Sequence, residues 1–256
     1  GVPSFFVPSN GIGSYVSGAG QALRLYAERF VLPAHEKKKN AVNILGATPL
    51  DFSVNGQVQS IARRLTEGGF SVQSVWAMGS ETAAIDRAGE AEVNLVVSSV
   101  GLPVAKFLRE RFGMPYVVGA PLGDTVSALL LGALQKSIHT GENEILPAGT
   151  PDTPDTVILG ENVTSRSLAA ALLLDYGLCA EVICPVELPR ELEGPFCRQI
   201  EDEQDLQAAL SGARRVIADP LFAPIVPQGA QFFPLPHEAY SGRIYRKQIP
   251  NLVTTW

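Results

Sequence analysis

Short runs of β-branched and aromatic residues alternate with helical stretches along most of this 256-residue chain. The apolar run at residues 93–97, for example, is followed by a helical pattern at 102–112 that stops at Gly113. Such alternation is typical of βαβ units, in which parallel strands form a sheet with helices packed against it. The sequence therefore predicts an α/β fold with doubly wound, mainly parallel sheets.

One segment interrupts the alternation. Residues 146–154 contain three prolines and a glycine, and proline lacks the backbone N–H that helices and strands use. We therefore place a domain boundary in this segment. The prediction is two Rossmann-like domains, at residues 1–146 and 155–256. The second reads as truncated, because its sequence from Asp219 onward is irregular and rich in proline.

The composition argues against several classes of function. Lys and Arg number 20 against 26 Asp and Glu, a net charge of −6, so no excess of positive charge is available to neutralise nucleic-acid phosphates. No stretch approaches the roughly 18 consecutive apolar residues that a membrane span needs. Three cysteines without metal-site spacing, Cys179, Cys184 and Cys197, favour a reducing compartment. We expect a cytoplasmic protein without nucleic-acid or membrane partners and, since it begins at Gly1 without a methionine, part of a longer chain.

A glycine-containing loop follows a strand predicted at residues 3–7 and precedes a helix. Backbone N–H groups at such a position can hold a phosphate or another anion, and Gly11, Gly13 and Ser14 are the candidates. In the dinucleotide-binding pattern a third glycine would follow, but Val16 stands there. A tight turn is thus the favoured interpretation, and a nucleotide-dependent enzyme is a minor alternative.

Catalytic and metal-binding side chains are scarce. His237 lies in the proline-flanked segment 233–238 and is the one histidine in a loop suited to line a pocket, although a structural role is more common for such a residue. Cys184 is predicted in a strand and Cys197 in a polar loop, and three thiols are fewer than an iron–sulfur cluster usually needs. The residues alone therefore indicate no catalytic group and no metal site.

Several motifs in a fixed order resemble one known family. They are VNILGATPLDF at residues 42–52, AEVNLVV at 91–97, KFLRERFGMPY at 106–116 and PLG at 121–123. Together they are similar to the nitrogenase component 1 family, which includes the molybdenum–iron protein subunits, their cofactor scaffolds and the light-independent protochlorophyllide reductases. Subunits of that family have three Rossmann-like domains, and the resemblance makes this chain the second and third. The first domain, which carries the cluster cysteines, is outside this sequence.

The resemblance also implies that two cofactor ligands are missing. Ser98, followed by Ser99, stands where the catalytic subunit has a cysteine, and Tyr245 stands about where it has a histidine after a Tyr-Ser-Gly sequence. Serine and tyrosine oxygens are poorly matched to an iron–sulfur cofactor. The residues implied to face a cofactor or substrate cleft are Ser98, Ser99, His237, Tyr240 and Tyr245. No cofactor is expected in this portion, and an iron–sulfur cluster is expected only together with the first domain.

Two functions follow from the resemblance. The first is an oxidoreductase subunit that pairs with an identical or homologous subunit and receives electrons from an iron–sulfur ATPase partner. The second is a non-catalytic scaffold or interaction subunit for cofactor assembly. In either case we expect this portion of the protein to be inactive by itself.

Overall fold

The computed structural model describes residues 4–8, 11–147 and 153–254, and they form two five-stranded sheets whose strand pairs are all parallel. The first sheet is built from residues 41–145 and the second from residues 156–234. The predicted α/β class with parallel sheets is confirmed.

The strand order of the first sheet reverses once. Its strands are β1 (Ala41–Leu45), β2 (Ser71–Val75), β3 (Val93–Val96), β4 (Tyr116–Val118) and β5 (Glu144–Ile145), in the order β2-β1-β3-β4-β5. Every residue of β1, β3 and β4 is buried, as expected for strands covered on both faces. The order reverses between β1 and β3, and ligands in such sheets commonly bind at the carboxyl ends of the strands at this switch point.

The second sheet has a different order. Its strands are β6 (Thr156–Leu159), β7 (Ala180–Cys184), β8 (Cys197–Gln199), β9 (Arg215–Ala218) and β10 (Gln231–Pro234), arranged as β10-β9-β6-β7-β8. The order reverses between β6 and β9, so these two strands form the second switch point.

The α-helices connect and cover the strands. The helix at Leu102–Phe112, for example, ends just before Gly113, whose φ of 67° is in the left-handed region that favours glycine. Among the described residues, no helix combines the length and apolar character that crossing a membrane requires. The helices are α1 (Tyr15–Phe30), α2 (Pro49–Phe52), α3 (Gln57–Glu67), α4 (Thr82–Asp86), α5 (Leu102–Phe112), α6 (Gly123–Thr140), α7 (Asn162–Tyr176), α8 (Glu203–Leu210) and α9 (Glu238–Ser241).

A buried polar ladder fixes the register of the first sheet. Asn43 Nδ2 donates to Asn94 Oδ1 at 2.9 Å, and Asn43 Oδ1 accepts from Ser74 Oγ at 2.7 Å. Ser74 Oγ in turn accepts from Trp76 Nε1 at 3.0 Å. A slip of one residue would leave buried amides unpaired, so the ladder aligns β2, β1 and β3.

The structure corrects three predictions of local structure. The strand predicted at residues 3–7 is wrong over its described part, because residues 4–8 are irregular and Phe5 packs against Tyr26 and Phe30 of α1. Cys197 is buried and begins a strand, β8, instead of lying in a polar loop, although the other two residues of the strand are exposed. The segment after Asp219 contains β10 and α9, so it is more regular than its prolines suggest.

The C-terminal segment returns to the first sheet's side of the molecule. Asn55 Nδ2 donates to the carbonyls of Ile249 at 3.1 Å and Pro250 at 3.2 Å. Asn251 Nδ2 donates to Ser60 Oγ in α3 at 2.9 Å, and Val253 is fully buried. We call each sheet with its helices a unit. The chain therefore passes from the unit of the first sheet to the unit of the second sheet and then returns to the first.

Candidate functional site

Acidic and hydroxyl side chains follow the strands of both switch points, and the structure brings them together. Asp51 follows β1 and Ser98 follows β3, while Glu161 follows β6 and Asp219 follows β9. Hydrogen bonds and close contacts link these groups across the two sheets. The polar cluster, as we define it, comprises Tyr15, Thr48, Asp51, Ser98, Ser99, Glu161, Asp219, His237, Tyr240 and Ser241.

Asp51 is surrounded by hydroxyl groups. Its Oδ1 accepts from Tyr15 Oη at 2.5 Å, and its Oδ2 accepts from Ser98 Oγ at 2.5 Å and Thr48 Oγ1 at 2.8 Å. Burial raises the pKa of the Asp51 carboxyl, and the hydrogen bonds from the three hydroxyls oppose that rise. The group is therefore suited to hold a proton, and the hydroxyls stabilise the carboxylate that remains when the proton leaves.

Two glycines allow Asp51 and Ser98 to lie so close together. Gly46, with a φ of 88°, ends the first strand, and a Cβ there would lie 2.7 Å from the backbone nitrogen of Gly101. A Cβ on Gly101 would lie 2.5 Å from the carbonyl oxygen of Leu45. The end of β1 thus contacts the turn after Ser98 backbone to backbone, which any larger residue would prevent.

Glu161 joins the second sheet to the first. Its Oε1 accepts from Ser99 N at 2.9 Å and from Ser99 Oγ at 2.8 Å, while its Oε2 accepts from Thr164 N at 2.9 Å and so caps helix α7. The residue is 1% exposed. Burial and, second, the charge of Asp51 raise the pKa of the Glu161 carboxyl.

Asp219 positions His237. Its Oδ2 accepts from His237 N at 2.7 Å and from Ser241 Oγ at 2.8 Å. The His237 ring accepts a hydrogen bond at Nδ1 from Ala239 N at 3.2 Å. In the neutral imidazole the proton therefore resides on Nε2.

Two buried atoms of the polar cluster, His237 Nε2 and Tyr240 Oη, lack a hydrogen-bond partner among the described residues. His237 Nε2 lies 3.6 Å from Asp51 Oδ1, beyond hydrogen-bonding distance, and the His237 and Tyr240 ring centres are 4.8 Å apart. Burial lowers the pKa of His237 and raises the pKa of Tyr240, which favours the neutral form of both. Neutral, unpartnered donors beside a buried carboxyl are suited to an acceptor atom of a small ligand.

The sequence model of the nitrogenase component 1 type oxidoreductases matches residues 1–158. The chain belongs to this family. The B subunit of the light-independent protochlorophyllide reductase of a Synechococcus strain is 30% identical over 124 residues, which are 46% of this chain and 24% of that protein. Its counterpart from Prosthecochloris aestuarii is 34% identical over 97 residues, 38% of this chain and 18% of that protein.

A longer alignment extends into the second sheet. The corresponding reductase polypeptide of another Synechococcus strain is 26% identical over 204 residues, which are 74% of this chain and 37% of that protein. These alignments span between 18% and 37% of the relatives' own length, so much of each relative has no counterpart in this sequence.

Solved structures with the same fold come from nitrogenase. The structure described as nitrogenase Cp1 at pH 5 matches with a TM-score of 0.60 and 14% identity, covering 94% of this chain and 62% of that chain. The structure at pH 6.5 matches with a TM-score of 0.53 and 14% identity, covering 94% and 65%. At this identity the likeness establishes the fold alone.

The cleft residues implied by the nitrogenase component 1 resemblance fall into two groups. Ser98, Ser99, His237 and Tyr240 lie together in the polar cluster. Tyr245 does not, because it is half-buried at the start of a short 3₁₀ turn and makes no hydrogen bond with the cluster in the described part of the chain. The role of all five stays a prediction.

Sequence reasoning did not single out the acidic groups of the cluster. Asp51, Glu161 and Asp219 each follow a strand at a switch point, and a search for acidic residues just past predicted strands would have found them. Tyr15 gives no such signal, since only the packing of α1 brings its hydroxyl to Asp51.

The predicted anion loop lies at the surface. Gly11 and Gly13 are exposed, and Gly11 has a φ of 71°, as in a tight turn. Ser14 precedes α1 without capping it, and its hydroxyl donates to Glu187 Oε2 at 3.4 Å. A carboxylate at this point disfavours a phosphate, and the turn interpretation fits the geometry better.

The two buried thiols, Cys184 and Cys197, share the side chain of Asn162, the residue after Glu161. Asn162 Nδ2 donates to Cys197 Sγ at 2.7 Å and to Cys184 Sγ at 3.7 Å. A hydrogen bond with Cys197 and, second, burial raise the pKa of Cys184, whereas the same hydrogen bond lowers the pKa of Cys197. We interpret both as small core residues that pack β7 and β8 against α7.

Proposed function

We propose that this chain is part of a nitrogenase component 1-like oxidoreductase subunit, which receives electrons from an iron–sulfur ATPase partner and reduces its substrate at the polar cluster. Family membership supports the redox class. The observation that carries the location is the meeting of both switch points at Asp51 and Glu161, two buried carboxyls with raised pKa values. In this proposal residues 1–146 and 155–256 are the family's second and third domains.

The chain's own part in the reaction is to supply protons. Reduction of an unsaturated bond consumes two electrons, which the partner supplies, and two protons. The Asp51 carboxyl donates one proton to the substrate and becomes a carboxylate, which the hydroxyls of Tyr15, Thr48 and Ser98 stabilise. A proton from solvent then restores the Asp51 carboxyl, while neutral His237 stays beside it with Nε2 3.6 Å from Asp51 Oδ1. Asp51 is then ready to donate the second proton.

The residues of the polar cluster do not fit a metal cofactor held as in the catalytic nitrogenase subunit. Ser98 Oγ donates to Asp51 and accepts from Val100 N at 3.2 Å, so the hydroxyl already has partners. Among the described residues, no three His, Cys, Asp or Glu side chains are arranged to hold a metal ion. These observations support the proposal that the family's cysteine and histidine ligands are missing here. An iron–sulfur cluster, in this proposal, is held with the help of the first domain.

The same observations support a second function. A non-catalytic scaffold subunit for cofactor assembly has no need of ligands to a finished cofactor, and it would use the polar cluster to hold the two units together. In both proposals the partner is an identical or homologous subunit, and the protein resides in the cytoplasm.

Electron transfer to the full-length protein separates the two functions. We would purify it anaerobically, determine its iron content, and mix it with a reduced iron–sulfur ATPase from the same genome, with and without MgATP. A reductase contains iron and oxidises the partner faster with MgATP. Absence of both iron and ATP-dependent oxidation would overturn the reductase and leave the scaffold.

Two variants test whether Asp51 is the proton donor. Asp51→Asn should slow the steady electron flux about 100-fold, the usual effect of losing a general acid, while the iron content stays unchanged. Asp124→Asn is the matched control, because the Asp124 side chain is 88% exposed on α6 and pairs with Arg64, which is outside the cluster. Equal flux in both variants would exclude Asp51 as the proton donor.

A further inference from the structure

A cavity of about 410 Å³ lies at the carboxyl edge of the second sheet. Its described lining follows the ends of three strands: Pro185 and Val186 after β7, Glu201 and Glu203 after β8, and Leu221, Phe222, Pro224 and Ile225 after β9. This is the edge at which doubly wound sheets bind ligands. The volume is within the range of small-molecule sites.

The wall of this edge cavity is largely apolar and aromatic. Leu206, Phe222 and Ile225 line it, and Leu221 is 57% exposed beside them. The rings of Phe222 and Tyr240 meet edge to face with centres 5.5 Å apart. Since Tyr240 Oη is buried within the polar cluster, only the ring is available to a ligand in the edge cavity. The wall therefore offers apolar burial and aromatic faces but no hydroxyl donor.

The charged residues in the described lining of the edge cavity are all acidic. Glu201 and Glu203 belong to its lining, and among the described residues no Lys or Arg does. Carboxylates repel an anion and attract a cation, and aromatic faces attract a cation as well.

We propose that the edge cavity binds an organic cation with an apolar or aromatic body. The body packs against Leu206, Leu221 and Phe222, and the positive charge lies towards Glu201 and Glu203. This site goes beyond the proposed function, because it requires neither electron transfer nor the proton-donating role of Asp51. The two proposals therefore stand or fall separately.

Three probes with the same ring test the charge preference. Naphthylmethylammonium, naphthylmethanol and naphthoate are titrated into the full-length protein by isothermal calorimetry at low and high salt. The cation should bind about tenfold more tightly than the neutral alcohol at low salt and lose most of that advantage at high salt, while the anion does not bind. Absence of cation binding, or binding of naphthoate as tight as that of the cation, would overturn the proposal.

Variants locate the binding. Leu221→Trp should fill the edge cavity and abolish binding of the cation, and its exposure makes the larger side chain tolerable. Leu174→Trp is the matched control, because this leucine is 48% exposed on α7 and does not line the cavity. Glu201→Gln combined with Glu203→Gln should reduce the affinity for the cation to that for the alcohol. Unchanged cation binding in Leu221→Trp would place the probe elsewhere and overturn the site.

Discussion

The two switch points hold their carboxyl groups by different means. In the first sheet, Asp51 accepts hydrogen bonds from three side-chain hydroxyls. In the second, Glu161 and Asp219 accept mainly from backbone N–H groups. A backbone N–H can only donate, whereas a hydroxyl can donate or accept, so Asp51 can be paired in either protonation state. The carboxyl group at the first switch point is therefore suited to proton transfer, whereas the carboxyl groups at the second are suited to holding the backbone in place.

The largest expected effect is on stability and comes from changing Glu161 at the second switch point. Glu161→Ala leaves Ser99 N, Ser99 Oγ and Thr164 N without their acceptor and removes the cap of α7. We expect a loss of about 3 kcal/mol in the free energy of unfolding, measured by urea denaturation. Glu161→Gln, which keeps one acceptor oxygen, should lose less than half of that. A loss below about 1 kcal/mol in Glu161→Ala would refute the architectural role.

A pair of neighbouring serines gives the next largest effect. Ser98→Ala removes one of the hydroxyl donors to Asp51, whereas Ser99→Ala leaves Glu161 its bond from the Ser99 backbone. At neutral pH we expect Ser98→Ala to cost about 2 kcal/mol and Ser99→Ala about 1 kcal/mol in urea denaturation. The cost of Ser98→Ala should shrink as the pH falls through the raised pKa of Asp51, because a protonated carboxyl accepts a weaker hydrogen bond than a carboxylate. If Ser98→Ala lost the same unfolding free energy above and below that pKa, the Ser98 hydroxyl would not respond to the charge of Asp51. The proposed difference between the two switch points would then be wrong.

Asp51→Asn should show a smaller effect on stability whose size depends on pH. The pKa of Asp51 is raised in the folded protein by burial, so the folded state binds the proton more tightly than the unfolded chain. This stabilisation is complete below the unfolded pKa and is lost as the pH rises through the folded pKa. The Asp51→Asn variant has no titrating group at this position and does not lose stability in this way. Its free energy of unfolding relative to that of the parent protein, measured by urea denaturation, should therefore increase with pH. A constant difference across the acid range would contradict the raised pKa.

The smallest effect is expected at two tyrosines. Tyr240→Phe removes a buried hydroxyl that has no described partner, so its thermal midpoint should be unchanged or slightly higher. Tyr245→Phe, at a half-buried position outside the polar cluster, is the control and should be neutral. A marked destabilisation by Tyr240→Phe would show that its hydroxyl has a partner, such as a bound water.

Much of the fold could be predicted because its central strands are buried on both faces. β1 and β3 read as apolar runs interrupted by one asparagine each, and the asparagines belong to the polar ladder. β5 has only two residues, and β10 contains a proline at its end, so neither gives the pattern of a buried strand. Both lie at sheet edges, where burial imposes less on the sequence.

The candidate site was harder to predict. The family motifs located Ser98 and Ser99, and the proline-flanked loop located His237. The partners of these residues come from elements far apart in the chain, such as Asp51 with Tyr15 or Ser99 with Glu161. Such pairs depend on how α1 and the second sheet pack, and no local pattern in the sequence records that packing.

The returning C-terminal segment limits how the molecule can open. The chain joins the two units at two separate places, and Asn55 and Asn251 fasten the second crossing to the first unit. Two separate crossings restrict relative motion more than a single linker does, so the units cannot slide apart while both crossings hold. Access to the groups buried between them is opposed as well by the apolar core, to which residues of both units, such as Leu134 and Leu168, contribute.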